Sequence, residues 1–344
     1  MVEGARLESE YTAKPYRGFE SLPLRHPHLC PLLCVSCVRD YMSRMKPVVI
    51  IHTNEKQMLG ALVSAHSYRR NSRDPGSFEV RILKVEDEPE LQQRGKTLLR
   101  GGHERAWDPD DLQSFTPLRF AVPDAVGHQG LALVTDPDIF SVGDVGELFT
   151  RDLQGKAIWC RPRPGYDKIT DPLATSAMLL DCAKLPHWRF REDIRALWEH
   201  RIDYLDWINL KREKLDTIGL LEPEWNDFDR LTPRTKLLHN TKRRTQPWKT
   251  GLPIDFTFRE RKGLLNLALP IVRMVAPRYT RHPDRNQEAY FYALLAEGLD
   301  MGAIPGEAVE KAVRLGHVRP DSPELIERYR GHLWPAEQAA PKAA

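Results

Sequence analysis

The residues best placed to do chemistry are Asp136 and Asp138, which close the apolar run Leu131-Ala-Leu-Val-Thr-Asp-Pro-Asp-Ile-Phe140. A short aliphatic run ending in turn chemistry reads as a strand buried in a parallel sheet, and ligands of open α/β sheets bind beyond the carboxyl ends of such strands. Residues two apart in an extended chain point to the same side, and Pro137 restricts the torsion between the two carboxylates. Both can then reach one hard divalent cation. Asp-Pro-Asp is also good turn chemistry. The copy Asp108-Pro109-Asp110, in the polar stretch Gly101 to Gln113, has no apolar run leading into it and is expected to be a plain loop.

A second segment, Lys236-Leu-Leu-His-Asn-Thr-Lys-Arg-Arg-Thr-Gln-Pro-Trp-Lys249, brings a short apolar approach to His239 and then a basic, hydroxyl-rich loop. A neutral imidazole beside two carboxylates is a mixed oxygen and nitrogen set suited to Mn2+, with Mg2+ the alternative. Lys and Thr side chains in the same loop suit a phosphate-bearing ligand. The expectation is a metal and diphosphate site with Asp136, Asp138 and His239 as metal ligands. Alone, the loop is also what a solvated basic turn looks like.

With both segments in view, the chain resembles glycosyltransferase family 8, which includes glycogenin and the bacterial lipopolysaccharide galactosyltransferases. There an apolar strand ends on Asp-x-Asp, and a later His opens a loop closing on Lys-Pro-Trp. The matching residues are Asp136, Asp138, His239 and Gln246-Pro247-Trp248-Lys249. The opening Val48-Val-Ile-Ile-His-Thr-Asn-Glu-Lys-Gln-Met-Leu-Gly-Ala-Leu-Val63, followed by Ser67, is similar to the glycogenin opening Thr-Asn-Asp-x-Tyr-x-x-Gly-Ala-Leu-Val. Arg119-Phe-Ala-Val-Pro123 is similar to the family's Arg-Leu-x-Ile-Pro, and Thr175-Ser-Ala-Met-Leu-Leu-Asp181 to its Asn-Ser-Gly-Val-Met-Leu strand. The resemblance covers residues 46 to about 250.

It implies a GT-A fold, a Rossmann-like and mostly parallel central sheet flanked by helices, and retaining transfer of a hexose from a UDP-sugar to an acceptor hydroxyl, saccharide or other. It also implies a donor-facing set of His52, Thr53, Asn54, Arg119, Thr135, Asp136, Pro137, Asp138, Thr241 and Lys249. Departures are Gln57 for the family tyrosine, Gln246 for the lysine before Pro-Trp, Ala177 for glycine, and Asp203 with Asp206 for the usual Asp-Gln pair. A phosphate contact would then come from Lys242, Arg243, Arg244 or Lys249. Asn226, in Glu222-Pro-Glu-Trp-Asn226, resembles an asparagine that faces the sugar, so Asp203, Asp206 and Asn226 form the candidate catalytic set.

Around these residues the periodicity predicts a strand over Val48 to His52, a helix over Lys56 to Arg70 with Leu59, Leu62, Val63 and His66 on one face, and a strand over Phe78 to Val85. Residues 86–117 read as an excursion over the crevice. Further strands are expected over Ala157 to Arg161 and Ser176 to Asp181. A long amphipathic helix is expected over Phe190 to Leu210, carrying Asp203 and Asp206 at i and i+3 on one face. Such alternation means a parallel, doubly covered α/β sheet. The expected division is a leader over 1–45, disordered or non-native, a transferase domain over 46–250, a helical C-terminal extension over 251–334 and a disordered tail over 335–344. In the extension, helices are expected at Glu260 to Met274, Asn286 to Leu299 and Glu307 to Leu315. Arg261, Lys262, Arg273, Arg278 and Arg281 are candidates there for acceptor or membrane-surface contact.

With 51 basic and 48 acidic residues the net charge is only +3, which implies no general attraction to nucleic acid. No apolar run approaches the roughly 20 residues needed to span a bilayer, and no signal sequence opens the chain, so a cytoplasmic protein is expected, with peripheral membrane contact an open alternative. Five cysteines argue against a disulfide framework. Cys30, Cys34 and Cys37 have the spacing that holds a four-iron cluster in radical S-adenosylmethionine enzymes. They sit in a Pro- and His-rich leader, and the chain lacks the repeated βα units of the barrel such enzymes need. Two rivals remain: a metal-dependent nucleotidyltransferase or hydrolase, and a catalytically inactive nucleotide-sugar-binding module.

Overall fold

The first strand explains the architecture. In β1 (Val48–Thr53) every residue is buried, with Val48 and Ile50 in one apolar core and Val49 and Ile51 in another. Strict alternation with both faces buried is the mark of a sheet covered on both sides. The strand carrying the aspartates repeats it, Ala132 and Val134 facing one core and Leu133 the other. Each such side chain contributes about 1.5–3 kcal/mol on burial, which makes a one-residue slip of register prohibitive. The computed structural model describes residues 46–256 and 277–332.

Six strands form the central sheet in the order β2 (Glu79–Lys84), β1, β5 (Leu131–Thr135), β8 (Leu173–Asp181), β7 (Ile158–Pro162) and β9 (Ile218–Leu220). β1 pairs in parallel with β2 and β5, and β7 with β9, while β8 runs antiparallel to both its neighbours. The expected α/β fold, a mostly parallel sheet flanked by helices, is thus formed. A small second sheet orders β10 (Asp227–Phe228), β11 (Leu237–His239) and β6 (Ile139–Ser141).

Helix α1 (Met58–Arg70) follows a single 3-10 turn over Glu55–Gln57 and lays Leu59, Val63 and His66 into the interior. The excursion over 86–117 contains a hairpin, β3 (Thr97–Arg100) and β4 (His103–Ala106), joined by Gly101 and Gly102 at φ 62° and 75°. Two consecutive positive φ angles are what a two-residue hairpin turn requires and glycine supplies.

The helix expected over Phe190 to Leu210 is instead two: α2 (Phe190–Trp198) and α3 (Tyr204–Ile208). His200, at φ 56°, ends α2 as a left-handed cap, with its N–H donating to Leu197 O and that of Arg201 to Ala196 O. This is a Schellman closure formed without glycine, so the periodicity alone did not reveal it. Asp203 then caps α3, accepting from Leu205 N and Asp206 N.

Helices α4 (Arg285–Asp300), α5 (Gly306–Arg314) and α6 (Ser322–Tyr329) close the described chain. They share a core with α1 and the post-histidine loop: Tyr290, Phe291 and Leu294 join Leu59, Phe140 and Trp248. Phe291 stacks on Trp248 with centroids 4.6 Å apart. No helix among the described residues is long and apolar enough to cross a membrane. The leader over 1–45 with Cys30, Cys34 and Cys37, the helix expected at Glu260 to Met274 with Arg261, Lys262 and Arg273, and the tail from Pro335 lie outside the described residues. Cys160 and Cys182 are free and buried.

Candidate functional site

Backbone pairing brings the distant histidine to the aspartates. β6 begins directly after Asp138 and pairs antiparallel with β11, so His239 stands opposite Ile139. Asn240 N donates to Asp138 O over 3.0 Å, locking the two segments beyond the last paired residues. The other side of β6 is held by α1: Ser64 Oγ donates to Ile139 O at 2.6 Å, and Ser67 Oγ accepts from Ser141 N at 2.8 Å. The helix approaches closely because residue 60 is glycine. A Cβ there would lie 2.9 Å from Pro137 O.

The result is a buried trio, Asp136, Asp138 and His239, whose ligand atoms all lie within 4.8 Å of one another. His239 Nδ1 lies 2.8 Å from Asn226 Oδ1, while Asn226 Nδ2 donates to Ser176 Oγ at 2.9 Å. With its amide nitrogen so engaged, Asn226 can only accept at Oδ1, so Nδ1 of the ring carries the proton. Nε2 then presents its lone pair toward Asp138 Oδ1, 3.4 Å away. That oxygen is buried and has no hydrogen-bond partner. Two bare acceptors facing each other at a buried site repel, and a cation placed between them removes the penalty. The donor set therefore fits a divalent metal.

Asp138 Oδ2, by contrast, accepts from Gln246 Nε2 at 2.9 Å. Asp136 is held by cationic and ring groups: Arg119 grips it with both Nε and Nη2 (3.0 and 2.5 Å), and His52 Nε2 lies 2.8 Å from Oδ1. Burial would raise its pKa, but the Arg119 charge and the His52 hydrogen bond overcome burial and hold the carboxyl well below the usual carboxylate range. His52 is itself lowered, chiefly by burial, with Asp136 opposing. Arg119 Nη1 also donates to Thr175 Oγ1 at 3.0 Å, which fixes the guanidinium plane.

These groups open onto a cavity of about 310 Å³, lined by Asp136, Asp138 and His239 together with Arg119, Gln57 and Thr241. The other expected donor-facing residues lie behind this wall. Thr53 and Thr135 are fully buried, and Asn54 donates to Asp111 O, Leu112 O and Ser114 Oγ, tying down the excursion. Pro137 is buried and absent from the lining, its carbonyl oxygen facing Gly60 of α1. Thr241 lines the cavity, but its hydroxyl proton goes to Asp229 Oδ2. Lys249 is buried against Asp255 at 2.8 Å, away from the lining.

The candidate catalytic set divides. Asn226 reaches the site through His239. Asp203 does not line the cavity: it caps α3 and accepts from Gly102 N at 2.8 Å, pinning the β3–β4 hairpin. Asp206 pairs with Lys211 at 2.6 Å on the surface. In the second Asp-Pro-Asp, Asp110 accepts from Arg94 at 2.6 Å in an exposed loop.

Sequence reasoning missed the contributions of Ser176, Thr175, Arg100 and Arg163, and did not choose Arg243 among four loop cations. Arg243 lines the cavity, and burial lowers its pKa against the pull of Asp111 and Asp138. The useful signal was the pair of departures: Gln57 and Gln246 are hydrogen-bonded to each other at 3.1 Å, one altered position answering the other.

Solved structures similar to this chain include the glycosyltransferase GlyE of Streptococcus pneumoniae TIGR4, at 17% identity and a TM-score of 0.43, over 75% of this chain and 64% of that one. The galactosyltransferase LgtC in complex with donor and acceptor sugar analogs matches at 12% identity and 0.40, over 70% of this chain and 99% of that one. Mouse xyloside xylosyltransferase 1 matches at 13% and 0.38, over 58% and 98%. The chain thus spans less than two thirds of the length of GlyE. No family model and no curated protein matches it.

Proposed function

We propose that this chain is a metal-dependent glycosyltransferase that moves a hexose from a nucleoside diphosphate sugar, UDP by the resemblance of its opening segment, to the hydroxyl of a saccharide or other acceptor, with retention. One observation carries the reading: two carboxylates and an imidazole stripped of its Nε2 proton converge at the carboxyl end of a buried parallel strand, beside arginines.

Asp138 Oδ1 and His239 Nε2, with Asp136, would hold the divalent ion, Mn2+ by the oxygen and nitrogen set. When bound, that ion supplies positive charge to the diphosphate as it leaves. Arg119, fixed by Asp136 and Thr175, presents an oriented guanidinium to the donor. Arg243, held over the Phe256 ring at 4.9 Å, is the loop cation placed to meet a phosphate oxygen. Asn226 and Ser176 keep the imidazole in the ligating tautomer. Lys249 supports the loop through Asp255 and does not contact the donor.

The test is a panel of nucleotide sugars screened for metal-dependent release of nucleoside diphosphate, wild type against Asp138→Ala. Release in the wild type that Asp138→Ala abolishes supports the reading. Release of pyrophosphate would point to nucleotidyl transfer, and binding without turnover to an inactive module; either overturns it.

A further inference from the structure

The cavity holds more positive charge than a metal-bound diphosphate donor uses. Its lining carries four arginines, Arg100, Arg119, Arg163 and Arg243, against two aspartates, Asp136 and Asp138. A divalent cation and the two charges of a nucleoside diphosphate sugar cancel each other, so two positive charges remain once both are seated. Arg119 is neutralised by Asp136, and Arg243 sits on the loop beside His239.

Arg100 and Arg163 are different. Neither has a carboxylate within ion-pair distance among the described residues, and each is oriented by neutral groups. Arg100 lies over the Tyr204 ring at 4.9 Å. Arg163 donates through Nη2 to Asn209 Oδ1 at 3.0 Å and through Nε to Leu173 O at 3.3 Å. Tyr204 opens α3 and Asn209 caps its end, so the two guanidinium groups are tied to opposite ends of one short helix whose Tyr204 and Ile208 line the cavity. Five residues of helix set those ends about 8 Å apart. The backbone of Arg163 follows β7, two strand spacings, about 10 Å, to the side of the strand that carries the aspartates.

Neutral partners aim a guanidinium without reducing its charge, so half-buried Arg100 and exposed Arg163 each keep a full charge and a planar fork suited to a carboxylate or phosphate. We propose that the cavity takes a ligand bearing an anionic group in addition to the diphosphate, received by Arg100 and Arg163. This rests on the glycosyltransferase reading and names its substrate class more closely. The charge can ride on the transferred sugar, as a uronic acid, or on the acceptor, as a sugar phosphate.

Calorimetry on the full chain with Mn2+ separates these sources. One arm compares UDP-glucuronic acid with UDP-glucose; the other, with UDP present, compares glucose 6-phosphate with glucose. At least one anionic probe is expected to bind tenfold or more tighter than its neutral counterpart, and the arm in which it does so identifies the source. Arg163→Gln and Arg100→Gln should each erase that preference, while Arg163→Lys, which keeps the charge but not the fork, should retain part of it. Equal binding of anionic and neutral probes, or a preference that survives both glutamine variants, overturns the proposal. If UDP with Mn2+ does not bind the wild type at all, the functional reading itself fails; if it binds but no anion preference appears, only this inference fails.

Discussion

Gln57 donates to Gln246 Oε1 over 3.1 Å, and Gln246 donates to Asp138 Oδ2 over 2.9 Å, joining two residues that lie 189 positions apart to the same carboxylate. Both glutamines are buried. Gln246→Ala leaves Asp138 Oδ2 without a donor, a loss of about 1–3 kcal/mol. Affinity for Mn2+ in the presence of UDP should fall about 10- to 100-fold, the usual effect of removing a group that orients a metal ligand. Gln57→Ala, one bond further out, should cost less. Calorimetric titration measures both, and an unchanged affinity in Gln246→Ala would show that Asp138 does not depend on this link.

Asn226 sets the tautomer of His239. Asn226→Ala should weaken Mn2+ binding about 10- to 100-fold, whereas Asn226→Asp, which still accepts the Nδ1 proton, should stay within a few-fold of wild type. A merely structural role would make the two variants equally poor, so their ratio in the same titration is the readout.

Gly60 lets α1 lie against the aspartate turn. Elsewhere in a helix, Gly→Ala gains up to about 1 kcal/mol of propensity. Here the added Cβ would meet Pro137 O at 2.9 Å, closer than such carbon atoms come to a carbonyl oxygen. Both partners are backbone and cannot swing away. Gly60→Ala is expected to lower the melting temperature and metal affinity together; a rise in melting temperature with metal binding intact would contradict the packing described.

Asp203 should matter to stability and not to chemistry. Burial opposes ionisation, but the N–H groups of Gly102, Gly101, Leu205 and Asp206 outweigh it and lower the pKa below its ordinary 3.8. A lowered folded pKa means stability that is present above the unfolded pKa and lost as pH falls through the folded value. Asp203→Ala should therefore cost about 1 kcal/mol at neutral pH, as loss of an N-cap does. The gap from wild type should shrink below pH 4, with turnover per folded molecule unchanged. Melting curves at pH 7 and pH 3 test this.

Much of the site was legible in the sequence because its logic is local. The alternation in Val48 to Thr53 and Leu131 to Thr135 encodes two covered faces, and the abrupt change to Asp136-Pro137-Asp138 marks the strand end. His239 was readable for the same reason, as the close of an apolar approach. What was not legible depends on three-dimensional neighbours. A helical period runs through His200, yet a left-handed backbone there splits the helix and turns Asp203 into a cap. Lys249 and Arg243 look interchangeable as loop cations, and only burial against Asp255 withdraws one while the other faces the cavity. Arg100 and Arg163 gain meaning only when the ends of α3 are brought to them.

The most direct test of the central claim is pulsed electron paramagnetic resonance of Mn2+ bound with UDP, read for coupling to a ligated nitrogen. The wild type should show 14N modulation from the His239 imidazole, and His239→Ala should lose it while remaining folded. A wild-type spectrum without nitrogen coupling, or coupling that persists in His239→Ala, would mean that the histidine and the two aspartates do not share a metal ion.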